Sequence, residues 1–135
     1  QYTQSEMLSI QSQFFSSYES YVNEGSDVLV LGDFNNHIGN NLGLTHNNKK
    51  VSPGGKNVSK WVEENGLSLV NVIDQTHTHI DRSSKNNDTN ILDLAITNNL
   101  SSIEAFTVDK QFEWTPYRVG HVKKGIKKRE LHKKK

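Results

Sequence analysis

The feature that most constrains this chain is an apolar run that ends abruptly in a carboxylate and an amide. Residues 28–31 (VLVL) are followed at once by Gly32, Asp33, Phe34 and Asn35. Four consecutive apolar residues predict a strand over residues 27–31 that is covered on both faces, and hence a central strand of a sheet. A carboxylate at the end of such a strand is costly unless a metal ion, a cation or a bound water compensates it.

The spacing of Asp33 and Asn35 predicts one shared site. Gly32 removes a side chain beside them and lets a ligand approach the backbone. Side chains two apart in an extended chain point the same way, so Asp33 could hold a metal or a nucleophilic water while the Asn35 amide donates to a phosphate oxygen. The alternative is an ordinary strand exit, in which Gly, Asp and Asn are common.

A second unusual carboxylate lies within the apolar segment ILDLAIT, residues 91–97. Strand alternation places Asp93 on one face with Ile91 and Ala95, opposite Leu92 and Leu94. An acid in the middle of such a strand predicts a carboxylate that accepts a hydrogen bond from a histidine or fixes a water. The alternative is an exposed Asp on the solvent face of an edge strand.

The segment QTHTHID offers a different chemistry. Period-two geometry places His77, His79 and Asp81 on one face, and imidazoles with a carboxylate are a reasonable zinc set. Two histidines on a polar strand face more often meet solvent. A zinc enzyme is therefore an alternative hypothesis for this chain.

The remaining pattern predicts a layered α/β (α+β) fold, in which helices flank a mixed β-sheet. Thr3 and Glu6 have the spacing of a capping box and start a helix, and Ser52-Pro53 starts a second helix that stops at Asn65-Gly66. The predicted elements are helices over residues 4–23 and about 52–65, a loop over 36–55, strands over 67–73, 90–97 and 103–108, and a hairpin turning at Gly125.

Composition limits the class of protein. A chain of 135 residues without cysteine suits one domain in a reducing, intracellular setting, and no apolar stretch reaches the roughly 18 residues of a membrane span. Residues 118–135 carry nine Lys/Arg and one acid, whereas residues 1–117 carry seven Lys/Arg and fourteen acids. Such a basic tail suits contact with nucleic-acid phosphates, with Trp114 and Tyr117 available to stack on bases, although a solvated tail and packed aromatics are the commoner outcomes.

Taken in order, the segments VLVLGDFNNHIG, WVEENGLSLVN, THTHI, NILDLAIT and FEWTPYRV resemble the C-terminal half of an endonuclease/exonuclease/phosphatase domain. The resemblance is closest to endonucleases of non-LTR retrotransposons, which accompany a reverse transcriptase. It implies half of a four-layer sandwich of the DNase I-like type, with residues 1–117 as a partial domain and residues 118–135 as a basic hairpin or tail. It also implies an open apolar face on the strands of Val28, Leu69 and Leu94.

The resemblance assigns roles to individual residues. Asp33 matches the acid of the family's GDFN motif, near the metal, and Asn35 matches the amide that binds the scissile phosphate. Asp93 matches the acid that orients a catalytic histidine. Thr78 matches a residue that supports the phosphate site, with Thr76 as the competing alignment. The implied cofactor is Mg²⁺, with Mn²⁺ as a substitute. The implied substrate is DNA, so the expected intracellular location of the protein includes the nucleus.

The chain also departs from the family pattern. The family's first half, with an Asn, a metal-binding Glu and a Tyr, is missing, and no Asp-His pair follows KKRELH at residues 127–132. Position 90 is Asn where the family often has Ser or Thr. We therefore expect a fragment of a Mg²⁺-dependent phosphodiester hydrolase that is inactive alone and partners an N-terminal half or a fused reverse transcriptase. The alternative is a non-enzymatic nucleic-acid-binding remnant that uses the basic tail.

Overall fold

Two α-helices and seven strands make up the part of the chain that the structure, a computed structural model, describes: residues 3–81, 83–108 and 120–124, the last group through its backbone. The helices are α1 (Gln4–Asn23) and α2 (Pro53–Glu64). The strands are β1 (Leu29–Asp33), β2 (Ser68–Leu69), β3 (His79–Asp81), β4 (Asp88–Asn90), β5 (Asp93–Thr97), β6 (Ile103–Val108) and β7 (Gly120–Lys124). Short 3₁₀ turns span Val70–Val72 and Leu100–Ser102.

Both helices begin where their capping residues predict. The Thr3 hydroxyl accepts from the Glu6 N–H at 3.2 Å, and the Glu6 carboxylate accepts from the Thr3 N–H at 3.4 Å, so the capping box is confirmed. Ser52 caps α2 by accepting from the Gly55 N–H at 3.1 Å. Gly55 is required for packing as well, because a Cβ at this position would collide with the carbonyl oxygen of His37.

The central sheet is antiparallel and has the order β1-β5-β2. Leu29, Leu31 and Asp33 of β1 lie opposite Thr97, Ala95 and Asp93 of β5. The first strand was predicted to be central, but among the described strands β1 lies at the edge of the sheet, so this prediction is wrong. The predicted mixed sheet also differs, because every pair between described strands is antiparallel, including the hairpin pairs β3-β4 and β6-β7.

Two apolar clusters cover the two faces of the central sheet. The larger cluster packs α1 and α2 on Leu94 and Ile96, and the smaller one packs β6 on Ala95. The expectation of an open apolar face on the strands of Val28, Leu69 and Leu94 is wrong for Leu69 and Leu94, which are buried in the larger cluster, whereas Val28 is only partly buried against it. The exposed apolar groups include Leu31 on β1, with an exposed fraction of 58%, and Ile10 and Phe14 on α1, with 47% and 39%.

Two segments differ from their predictions in a way that matters for the site. The predicted strand over residues 67–73 ends at Leu69, where the chain turns into the 3₁₀ segment Val70–Val72. The predicted loop over residues 36–55 is organised by a bridge between Ile38 and Val51 and by asparagine side chains.

Other predictions fall on residues that are not described. Trp114, Tyr117 and the hairpin at Gly125 lie outside the described residues. The strand β7 lies within residues 118–135 and pairs with β6, but the rest of that segment is not described, so the division at residue 117 stays a prediction. Within the described ranges, no helix is long and apolar enough to cross a membrane.

Candidate active site

The two acids that the sequence singles out lie directly opposite each other on β1 and β5. Asp33 pairs with Asp93 in the strand register. The neighbouring Phe34 N–H donates to the Leu92 carbonyl at 3.0 Å, while the Asp93 N–H and carbonyl make their bonds on the other side of β5. Asp33 and Asp93 are therefore a non-hydrogen-bonded pair, the closer kind, with Cα atoms typically about 4.5 Å apart and both side chains on one face.

This pairing is electrostatically unfavourable without a counterion. Burial raises the pKa of the Asp93 carboxyl, the charge of Asp33 raises it further, and His79 acts in the opposite direction. Like charges directly across an antiparallel pair destabilise a sheet. The facing carboxylates of Asp33 and Asp93 therefore favour a bound cation or a proton between them.

A pocket of about 170 Å³ opens at this pair. At roughly 30 Å³ per water, it has room for a few waters or for a partly hydrated ion and a ligand oxygen. Its described lining contains no Lys, Arg or His, so the only charged side chains there are the two acids. The lining residues are Leu31, Gly32, Asp33, Thr78, Asp93, Leu94, Ala95 and Phe106.

Asn35 lies next to the pair, although for a different reason from the one predicted. The Asn35 N–H donates to the Asp33 carboxylate at 2.8 Å, which forms an Asx turn. Asn35 has φ 46°, in the left-handed region, so the expected extended alternation between residues 33 and 35 is wrong. The Asn35 side chain is exposed, and its role as a phosphate ligand stays a prediction.

Thr78 lies behind the pair and anchors the backbone of β5. Its side chain is 2% exposed, and its hydroxyl oxygen accepts from the Leu92 N–H at 3.0 Å and the Asp93 N–H at 3.1 Å. Neither bond uses the hydroxyl hydrogen. Thr76 instead donates to the Asp74 carboxylate at 2.6 Å, so Thr78 is the threonine that the fold brings to Asp93.

The structure does not assemble the alternative zinc site. Among the described residues, no group of three or more His, Asp or Glu side chains is placed to hold a metal ion. His79 instead contributes to the electrostatics of Asp81, Asp93 and His37. His37, which the sequence pattern leaves as a surface residue, is half-buried, and burial followed by the Lys50 charge lowers its pKa.

Sequence reasoning missed two asparagines that hold β5. Asn71 is fully buried, and its side chain bonds to the Asp93 carbonyl at 3.0 Å and to the Ala95 N–H at 2.8 Å. Asn47 accepts from the Ile91 N–H at 3.0 Å. The available signal for Asn71 was an amide inside the apolar segment LSLVNVI, because a buried amide requires hydrogen-bond partners.

Comparison with known proteins identifies the family to which this chain belongs. A family model described as endonuclease-reverse transcriptase matches residues 2–121. Neither the curated proteins nor the solved structures gave a match. The matched segment contains Asp33, Asn35, Thr78 and Asp93, and it spans most of the chain. The chain therefore belongs to the endonuclease-reverse transcriptase family, whose domains are endonuclease/exonuclease/phosphatase-like and of the retrotransposon type.

Proposed function

We propose that this chain carries part of a Mg²⁺-dependent site that hydrolyses DNA phosphodiesters. The observation that supports the proposal most is the register of the central sheet, which pairs Asp33 with Asp93 at the mouth of a pocket. Membership of the endonuclease-reverse transcriptase family supports a nuclease-type reaction. The retrotransposon type of the family favours DNA as the substrate.

The residues at the pair fit the implied cofactor. Asp33 and Asp93 offer oxygen donors, the chain has no cysteine, and Mg²⁺ is usually held by one or two carboxylates with waters in its remaining positions. Mn²⁺ has similar preferences and serves as a substitute. Polarisation of a phosphoryl oxygen and stabilisation of the leaving oxygen are the chemistry that a bound Mg²⁺ supplies here.

Each residue has a role that follows from its position. Asp33, exposed at the end of β1, is the metal ligand and orients a water. Asn35, held beside it by the Asx turn, donates its amide to a non-bridging phosphate oxygen. Thr78 fixes the backbone at Asp93 by accepting from its N–H, and its hydroxyl hydrogen is available to donate to a phosphate oxygen. Asp93, half-buried, offers a second carboxylate to the same ion from the strand opposite Asp33.

We further propose that the described residues form half of a DNase I-like sandwich and are inactive alone. The pocket lining supplies two acids but no described cationic side chain to stabilise negative charge on the phosphate. Exposed apolar groups at Ile10, Phe14 and Leu31 support a contact with further protein. An N-terminal half of the domain or a fused reverse transcriptase is the proposed partner.

The experiment is plasmid nicking by two polypeptides. The 135-residue chain is expected to leave supercoiled DNA intact in Mg²⁺. The same segment, expressed with the coding sequence that flanks it on both sides, is expected to nick in Mg²⁺ or Mn²⁺ and to lose that activity in EDTA and in Asp33→Ala. A Glu63→Gln variant, which removes an exposed carboxylate from α2, is the matched control and keeps the activity. Nicking by the longer polypeptide that persists in Asp33→Ala would refute the proposed site.

A second candidate function is nucleic-acid binding through the basic segment, which the nine Lys/Arg of residues 118–135 favour. This function predicts DNA binding that weakens steeply with salt, survives Asp33→Ala and is lost when residues 125–135 are deleted. Binding that does not depend on the tail, or that shows no salt dependence, would contradict it. The deletion leaves β7 in place, so its pairing with β6 is retained.

A further inference from the structure

The ladder between β2 and β5 stops at Ile96, three residues away from Asp93 of the candidate site. Ser68 and Leu69 pair with Thr97 and Ile96, and the antiparallel register would next place Val70 against Ala95. The chain instead turns into the 3₁₀ segment Val70–Val72. Among the described strands, none therefore lies beside the backbone of β5 at Asp93 and Ala95 on this side.

The side chain of Asn71 occupies the position of the missing strand. Its amide nitrogen donates to the Asp93 carbonyl at 3.0 Å, and its amide oxygen accepts from the Ala95 N–H at 2.8 Å. One donor and one acceptor at this spacing reproduce what a neighbouring backbone would offer to β5. The two partners also fix which end of the amide is oxygen, because a carbonyl can only accept and an N–H can only donate.

We propose that Asn71 is a positioning residue that holds Asp93 in register opposite Asp33. β1 bonds to β5 through Phe34 and Leu92 but not through Asp33 and Asp93, since that pair is of the non-hydrogen-bonded kind. The backbone of Asp93 is therefore fixed from its other side. Asn71 holds its carbonyl, and Thr78 holds its N–H.

Burial makes the Asn71 contacts effective. Its side chain is fully buried, so loss of the amide leaves the Asp93 carbonyl and the Ala95 N–H without their protein partner, away from bulk water. A third side chain extends the same arrangement, because the Asn47 amide oxygen accepts from the Ile91 N–H at 3.0 Å. Side chains thus hold the N–H groups of residues 91, 92, 93 and 95, in place of a paired strand.

The role of Asn71 in function rests on the proposed function. If Asp33 and Asp93 hold one divalent ion, the separation of their carboxylates sets how well they bind it, and Asn71 helps to fix that separation. The geometric claim can be tested without any metal. In a non-hydrogen-bonded antiparallel pair the two Hα atoms face each other closely, so wild-type protein in EDTA should give a strong nuclear Overhauser cross-peak between Asp33 Hα and Asp93 Hα.

The decisive variant is Asn71→Ala, with Val58→Ala as the matched control. Val58 is also fully buried, but it lies on α2 in the larger apolar cluster. We expect Asn71→Ala to lose the Asp33–Asp93 cross-peak while the Leu29–Thr97 cross-peak, from a pair of the same kind at the far end of β1, remains. Val58→Ala is expected to keep both. Retention of the Asp33–Asp93 cross-peak in folded Asn71→Ala, or its equal loss in Val58→Ala, would overturn the proposal.

A second measurement covers the case in which Asn71→Ala does not fold. Amide hydrogen exchange of the wild-type protein should show the Ala95 N–H as protected as those of Leu94 and Ile96, which face β1. Fast exchange at Ala95 alone would refute the role of Asn71. Failure of Mn²⁺ to bind the wild-type chain would instead count against the proposed function. The positioning role of Asn71 would still be decided by the exchange and cross-peak measurements, which need no metal.

Discussion

Replacing Asp93 by Asn should make the metal-free protein more stable, although it removes a residue of the candidate site. Burial and the facing charge of Asp33 raise the pKa of the Asp93 carboxyl in the folded state. A carboxyl with a raised folded pKa favours folding only while it is protonated, so its ionised form costs stability as the pH rises through that folded pKa. Asn has a similar shape and never pays this cost.

The expected magnitude follows from the register. Carboxylates about 5 Å apart repel by about 0.8 kcal/mol at the dielectric constant of water, and cross-strand pairs typically contribute roughly 0.2–1 kcal/mol. Because Asp33 is exposed, the value for water is the appropriate one, and burial of Asp93 adds modestly to it. Asp93→Asn should therefore raise the free energy of unfolding by about 1 kcal/mol at neutral pH, which raises the melting temperature by about 3–5 °C for a chain of this length.

Urea and thermal unfolding in EDTA measure the effect, with Glu63→Gln on α2 as a control that removes an exposed carboxylate. The gain in Asp93→Asn should fade below about pH 4, where the carboxyl is protonated in both states. Magnesium should reverse the ranking, since about 10 mM of an ion bound with a dissociation constant of about 1 mM adds about 1.4 kcal/mol to the wild type. A variant that is less stable than wild type in EDTA at neutral pH, or a gain that is independent of pH, would refute the reasoning.

Three further predictions concern the surroundings of the site. Thr78→Val leaves the N–H groups of Leu92 and Asp93 without their acceptor and should cost roughly 1–3 kcal/mol in urea unfolding, whereas Thr78→Ser should cost less; equal costs would contradict the hydroxyl's role. Gly55→Ala collides with the His37 carbonyl oxygen and should destabilise by about 1–3 kcal/mol, and an unchanged melting temperature would contradict that packing. Because burial lowers the pKa of His37, stability should fall as the pH drops below about 6.5, the ordinary pKa of histidine, and His37→Gln should flatten this dependence; an unchanged slope would exclude His37 as its cause.

The sequence predicted best those features that local chemistry decides. The capping residues Thr3 and Ser52 placed the helix starts. The period-two pattern around Asp93 correctly assigned Leu94 and Ala95 to opposite faces, but it was wrong for Ile91, which packs in the larger cluster with Leu94 and not with Ala95. These signals are local because a cap bonds within one turn and a strand face is set by alternation.

Features that depend on neighbours in space were predicted less well. Four apolar residues before Asp33 indicated a central strand, but periodicity does not say which neighbours are present, and β1 lies at the edge of the described sheet. The strand expected over residues 67–73 ends at Leu69, and beyond it the Asn71 side chain bonds to β5 where a backbone ladder was expected, which no pattern of hydrophobicity encodes.

The candidate site was predicted as a set of residues but not as a geometry. Asp33, Asp93 and Thr78 were identified from residue type, position and family resemblance, and the fold brings all three to one pocket. Their direct opposition depends on the register of β1 against β5, which is set by pairing between segments about sixty residues apart. The left-handed Asn35 was not foreseen, because its conformation follows from the Asx turn at Asp33.

Paramagnetic broadening by Mn²⁺ tests the central claim most directly. Sub-stoichiometric Mn²⁺ is added to the ¹⁵N-labelled chain, and the loss of each amide signal is followed. If Asp33 and Asp93 share a divalent ion, the signals of residues 33–35 and 92–94 disappear first, and both Asp33→Asn and excess Mg²⁺ prevent the loss. Broadening that is uniform, that centres on His77–Asp81, or that is unchanged in Asp33→Asn would contradict the account.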